Sequence, residues 1–130
     1  MTPHFLTVDD LLESHAFQIT KYGGSEGVRD MGLLHSALAQ PLATFDGTPL
    51  HRDLFEMAAA YLFHIVSNHP FVDGNKRVGL EAALLFLEIN GVTIEATDEQ
   101  LVEVVIRTAR GESTKGEIAE LFRHCAITPP

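Results

Sequence analysis

Two apolar runs, Leu54–Val66 and Val78–Ile89, flank the loop sequence His69-Pro70-Phe71-Val72-Asp73-Gly74-Asn75-Lys76-Arg77, and this arrangement constrains the fold more than any other feature. Asp53 and Glu56 have the spacing of an N-terminal capping pair, so the first run is expected to be a helix that ends before Pro70. The second is expected to run from Lys76 to Asn90, with Gly91 as its left-handed stop. Apart from Glu81 and Glu88 it is apolar on nearly every side, and a helix of that kind belongs inside a fold. The two helices are therefore expected to pack together at the centre of an all-α bundle.

The remaining chain reads as shorter helices with clear punctuation. Thr7 and Asp10 cap a first helix that continues to about Tyr22, where Gly23, Gly24 and Gly27 break it. Asp30 caps a helix over Met31–Ala39, Pro41 ends it, and Gln40–His51 is expected to be a loop. Val92–Glu95 reads as a short extended piece. Thr97 with Gln100 caps a helix to about Arg110, and Thr114 with Glu117 caps a last one. No linker, repeat or low-complexity tract divides the 130 residues, so residues 1–130 are expected to form a single compact domain.

Charge narrows the partners. A formal net charge of −9 argues against non-specific binding to nucleic acid or anionic membranes, because such binding needs a basic surface. Apolar runs are interrupted before they could span a bilayer, and no signal peptide is visible, so the expected location is the cytoplasm. The one cysteine, Cys125, cannot form an internal disulfide and reads as a packed thiol.

The loop between the apolar helices carries the chemistry. Lys76 and Arg77 fall in the first turn of a helix, where the dipole disfavours cations by about 0.3–1 kcal/mol each. A bound anion would offset that cost, since free amides, dipole and both side chains would act on it together. Gly74 gives the backbone freedom to turn amides toward a phosphate. Asp73 is suited to magnesium, which takes one or two carboxylates plus phosphate oxygens. His69 is the expected base, with Pro70 restricting its backbone to an extended conformation.

Singly, these residues have ordinary explanations. Asp73-Gly74-Asn75 makes a turn and cap, Arg77 can pair with Glu81, and Phe71 is a core anchor. A metal site built from His51, His64, His69 and Asp73 is the other chemical reading, but the five-residue gap between His64 and His69 does not place two ligands on one helical face. His4, His15, His35 and His124 are expected to be surface or packing residues, and Arg107 and Arg110 a solvated face beside Glu103.

The combination at fixed spacing resembles the signature of the Fic/Doc family, and the likeness extends to Tyr22-Gly23-Gly24, Gly27-Val28-Arg29-Asp30, Gln40–Phe45, Ala83–Leu87 and Asn90-Gly91. Length and layout are nearest the Doc, or death-on-curing, branch. Fic proteins generally transfer AMP to a hydroxyl, with glycine at the position of Lys76 and a second arginine at that of Leu80. The Doc branch has lysine, lacks the second arginine, and acts as a kinase on a threonine of elongation factor Tu, with a Phd antitoxin as its neutralising partner.

The resemblance therefore implies ATP and Mg2+ as cofactors. It implies His69 as base, Asp73 as the magnesium-associated carboxylate, Asn75 as a polar contact to phosphate or metal, and Lys76 and Arg77 as the clamp on the transition state, with Gly74 in the phosphate cradle. Gln40–Leu50 matches the family's target-positioning flap. Thr108 and Glu112 have the spacing of an autoinhibitory motif, but Ser113 follows where glycine or asparagine belongs, and an ordinary turn explains the stretch. Fic-type AMP transfer and a non-catalytic docking module are the alternatives. The intact motif argues against the second.

Overall fold

The computed structural model describes residues 2–127, and their core is built on two helices, α3 (Leu54–Asn68) and α4 (Asn75–Ile89). The all-α expectation holds. Around that pair lie α1 (Val8–Tyr22), α2 (Met31–Ala39), α5 (Asp98–Ala109) and α6 (Lys115–Cys125). Alanines 58, 59 and 60 in α3 and 82 and 83 in α4 are fully or almost fully buried, which lets the two backbones approach closely. Gly79 has the same effect, because a Cβ there would stand 2.8 Å from Val66 Cγ2. α3 touches α2, α4, α5 and α6, so its buried Tyr61, Leu62, Ile65 and Val66 are shared by most of the fold. No helix is long and apolar enough to cross a membrane among the described residues.

The caps fall where the sequence places them. Thr7, Thr97 and Thr114 each complete a reciprocal capping box with the residue three positions on. Asp30 and Asp53 accept from Leu33 N and Glu56 N, at 3.0 and 2.8 Å. Cys125 is buried, as the packed-thiol reading requires. Asn90 and Gly91 close α4, and the Asn90 amide also pairs with both backbone groups of His4.

One expectation needs correcting. Gln40–His51 is not an unstructured loop: a 3-10 turn over Gln40–Leu42 leads into a small hairpin, β1 (Thr44–Phe45) and β2 (Thr48–Pro49). Its cause is Asp46-Gly47, both at positive φ (53° and 79°), the two-residue turn that matches the twist of paired strands. The short extended piece at Val92–Glu95 is present as β3 (Thr93–Ile94), and it pairs with β4 (Ala126–Ile127) after α6. Thr108 and Glu112 lie at the α5-to-α6 turn, where the Thr108 hydroxyl donates to Val104 O at 2.7 Å.

Candidate active site

α4 is the one α-helix among the described residues that has no side-chain cap. Its N-cap is Gly74 at φ 80°, a left-handed conformation that a side chain would strain. The first-turn amides therefore stay free of a protein partner, and Lys76 and Arg77 are exposed beside them. No ion pair among the described residues involves either cation. Arg77 does not take Glu81 as a partner. Its guanidinium lies over the Tyr22 ring, 4.5 Å from the centroid, which leaves its N–H groups available.

These residues line a cleft of about 580 Å³ together with His69, Asp73, Leu80 and the α5 residues Val102, Val105 and Ile106. A larger cavity, about 890 Å³, lies between Leu50–Glu56 and α6, but its cations are occupied. Arg52 pairs with Glu56, Arg123 with Asp53 and Glu120, and Lys115 Nζ lies 3.3 Å from both His51 Nε2 and His64 Nε2. Of these two, the smaller cleft is the one that joins cations without an ion-pair partner among the described residues to an open helix N-terminus. His51 lines the larger cavity whereas His69 and Asp73 line the smaller, and no group of three metal-ligand side chains exists among the described residues.

His69 is the C-cap of α3, with φ 50° and ψ 56°. This corrects the expected extended backbone: the helix closes by His69 N–H donating to Ile65 O at 3.2 Å, and that closure needs the left-handed turn. Pro70 disfavours the right-handed helical region and biases His69 toward extended backbone, a bias that the closure of α3 overrides. A non-glycine residue held there carries a cost of about 1–2 kcal/mol, so neighbouring structure must secure it.

That support comes from Tyr22–Asp30, which runs along the loop. Arg29 Nε and Nη2 donate to His69 O and Asn68 O at 2.6 and 2.7 Å. Arg29 N–H and Asp30 N–H both donate to Pro70 O, Val28 bridges to Phe71, and Val72 N–H donates to Gly27 O. Asp73 Oδ2 accepts from Ser25 N–H at 3.2 Å and Oδ1 from Gly74 N–H at 2.9 Å. Gly24 makes this approach possible, since a Cβ would fall 2.7 Å from Asp73 Oδ2.

From beneath, His15 stacks on Phe71 at 4.1 Å and its Nε2 donates to Asp73 O at 2.9 Å. His15 is thus a packing residue, and it also holds the loop. Phe71 is fully buried, in agreement with the anchor reading. The Asn75 side chain turns inward: Oδ1 accepts from Phe71 N–H at 2.9 Å and Nδ2 donates to Phe71 O at 3.0 Å. Each end of that amide makes one hydrogen bond within the loop, so the Asn75 side chain holds the Phe71 backbone in place at the start of α4.

Leu80 is half-buried on the cleft wall. Asp73 is the lone carboxylate in the cleft, and a carboxylate with two backbone donors still has lone pairs to offer. That set fits magnesium as it is usually held alongside a nucleotide, with phosphate oxygens and water completing the shell.

Sequence reasoning did not single out Tyr22, Gly24 or Arg29 as parts of the site. The available signal was the Gly23-Gly24 and Gly27 cluster, whose spacing marks a backbone that must come close to something.

Comparison with known proteins agrees with this geometry. Residues 5–87 match the model of the Fic/DOC family. A protein of Mycolicibacterium smegmatis named Toxin Doc is 40% identical over 104 residues, covering 75% of this chain and 80% of its own. One of Escherichia phage P1 named Protein kinase doc is 33% identical over 118 residues, covering 91% of this chain and 92% of its own. Loop motif, helical fold and matches over most of its length agree: the chain belongs to the Fic/DOC family.

Proposed function

We propose that the chain is the toxin of a toxin–antitoxin pair and acts as a protein kinase, moving the γ-phosphoryl group of ATP to a threonine hydroxyl of elongation factor Tu and so halting translation. The observation that carries the reading is the uncapped N-terminus of α4 with Lys76 and Arg77 unpaired on it, a phosphate cradle in the cleft that also holds His69. Lys76 stands where AMP-transferring relatives carry glycine, and Leu80 where they carry arginine. The names of the two relatives, Toxin Doc and Protein kinase doc, support the same class.

In this mechanism neutral His69 takes the proton of the target hydroxyl as its oxygen bonds to the γ-phosphorus. The bond from that phosphorus to the β-phosphate oxygen breaks, and ADP departs. Lys76, Arg77 and the α4 amides take up the charge that develops on the transferring group. Asp73 would hold Mg2+, which supplies charge neutralisation on the phosphates when bound. The exposed hairpin, with Phe45 at its edge, offers unpaired backbone for aligning the target chain. The exposed α5 side chains Val102 and Ile106 give an amphipathic antitoxin segment an apolar wall beside the cleft.

Induction in a bacterial host tests the reading. Growth and protein synthesis should stop on induction, and both a Phd-like antitoxin and His69→Ala should relieve the arrest. A free wild-type chain that is harmless at high expression would overturn the toxin reading.

A further inference from the structure

We propose that Arg29 is a positioning residue for His69: its guanidinium locks the end of α3 in the left-handed turn from which His69 lines the cleft. The inference rests on the reading of His69 as the base. It concerns a residue outside the loop motif that does not line the cleft itself.

The end of a helix leaves its last carbonyls without intrahelical donors and gathers partial negative charge, so a cation there is favoured. At α3 the usual closing residue, glycine, is absent, and His69 adopts φ 50° in its place. Arg29 supplies what the turn lacks. Two different nitrogens of its planar fork reach two consecutive carbonyls, Asn68 O at 2.7 Å and His69 O at 2.6 Å. Its own N–H then donates to Pro70 O at 2.8 Å, so one residue holds three successive peptide units around the His69 backbone.

No ion pair among the described residues diverts Arg29 to a carboxylate. Lysine has donors enough for both carbonyls, but on a single flexible ammonium without the planar fork that fixes their relative positions. Arg29 is exposed, so its removal leaves the buried core untouched.

The test compares Arg29→Ala, Arg29→Lys and His69→Ala with the parent by two readouts. Backbone 13C chemical shifts of His69 report whether it stays left-handed, and they should move toward the random-coil position in Arg29→Ala. Phosphoryl transfer from ATP to elongation factor Tu should lose about ten- to a hundredfold in kcat, the scale of a misplaced reacting group. KM for ATP should stay at the parental value, since Lys76, Arg77 and the α4 amides are intact. Arg29→Lys should recover part of kcat, and millimolar guanidinium should restore part of the Arg29→Ala loss.

In a His69→Ala background, Arg29→Ala should cost nothing further. Parental kcat in Arg29→Ala, or unmoved His69 shifts, would overturn the proposal. Transfer that survives His69→Ala would instead fault the reading of His69 as base, while the shifts would still decide whether Arg29 sets its backbone.

Discussion

That Lys76 and Arg77 occupy the turn of a helix least favourable to cations is readable from the residues alone, whereas the structure adds that neither forms an ion pair among the described residues. His69→Ala should abolish transfer and toxicity. Its thermal midpoint should shift by no more than the equivalent of about 1 kcal/mol, because an exposed loop imidazole contributes little to the core. Circular dichroism melts beside the transfer assay check this, and a much lower melt would point to a structural role.

Lys76→Gly should lose at least about tenfold in γ-phosphoryl transfer, the equivalent of about 1.4 kcal/mol of transition-state stabilisation, and its residual activity should shift toward AMP transfer. ATP labelled at the α- or γ-phosphate separates the two, and undiminished γ-transfer would remove Lys76 from the mechanism. A companion Leu80→Arg change is better tolerated than a core position would allow, since Leu80 is half-buried on the cleft wall. What the loop residues do to one another was less legible. Nothing in a linear motif says that the Asn75 amide turns back on Phe71, or that His15, 58 residues away, reaches Asp73 O.

At the scale of elements, the capping pairs, the glycine stops and the two apolar runs sufficed to place the helices, because each signal is local and acts within a few residues. The hairpin at Thr44–Pro49 was missed although Asp46-Gly47 signals it, since strands of two residues carry no alternation to read. The Tyr22–Asp30 strap was missed for another reason: its bonds join residues about 40 positions apart, and no periodicity records them.

The α3–α4 contact makes its own prediction. Gly79→Ala gains helix propensity but drives a methyl group to 2.8 Å from the fully buried Val66, so the bundle should lose roughly 1–2 kcal/mol by urea titration. Val66→Ala in the same chain should recover part of that loss. Gly79→Ala as stable as the parent would mean that the helices can part at no cost.

The whole molecule adds a pH dependence centred away from the cleft. Burial first, and then Lys115 and His51, push His64 down to about 4, and burial with Lys115 also lowers His51 against the opposing pull of Glu56. Both imidazoles take up protons less readily in the fold, His64 only at about pH 4, than the free side chain does at about pH 6.5. Their neutral packing therefore favours the fold fully above about pH 6.5, and the benefit is lost as pH falls toward about 4. Thermal midpoints should drop across that window, and the drop should shrink in His64→Gln; an equal drop in both would place its origin elsewhere.

All of these levels serve one claim, that an uncapped helix N-terminus carrying Lys76 and Arg77 directs the γ-phosphoryl group to a target hydroxyl. The most direct test incubates the purified chain with elongation factor Tu, ATP and Mg2+ and reads the intact mass of the factor. The account predicts a gain of one phosphoryl group that is absent with His69→Ala. A gain of one AMP would contradict it.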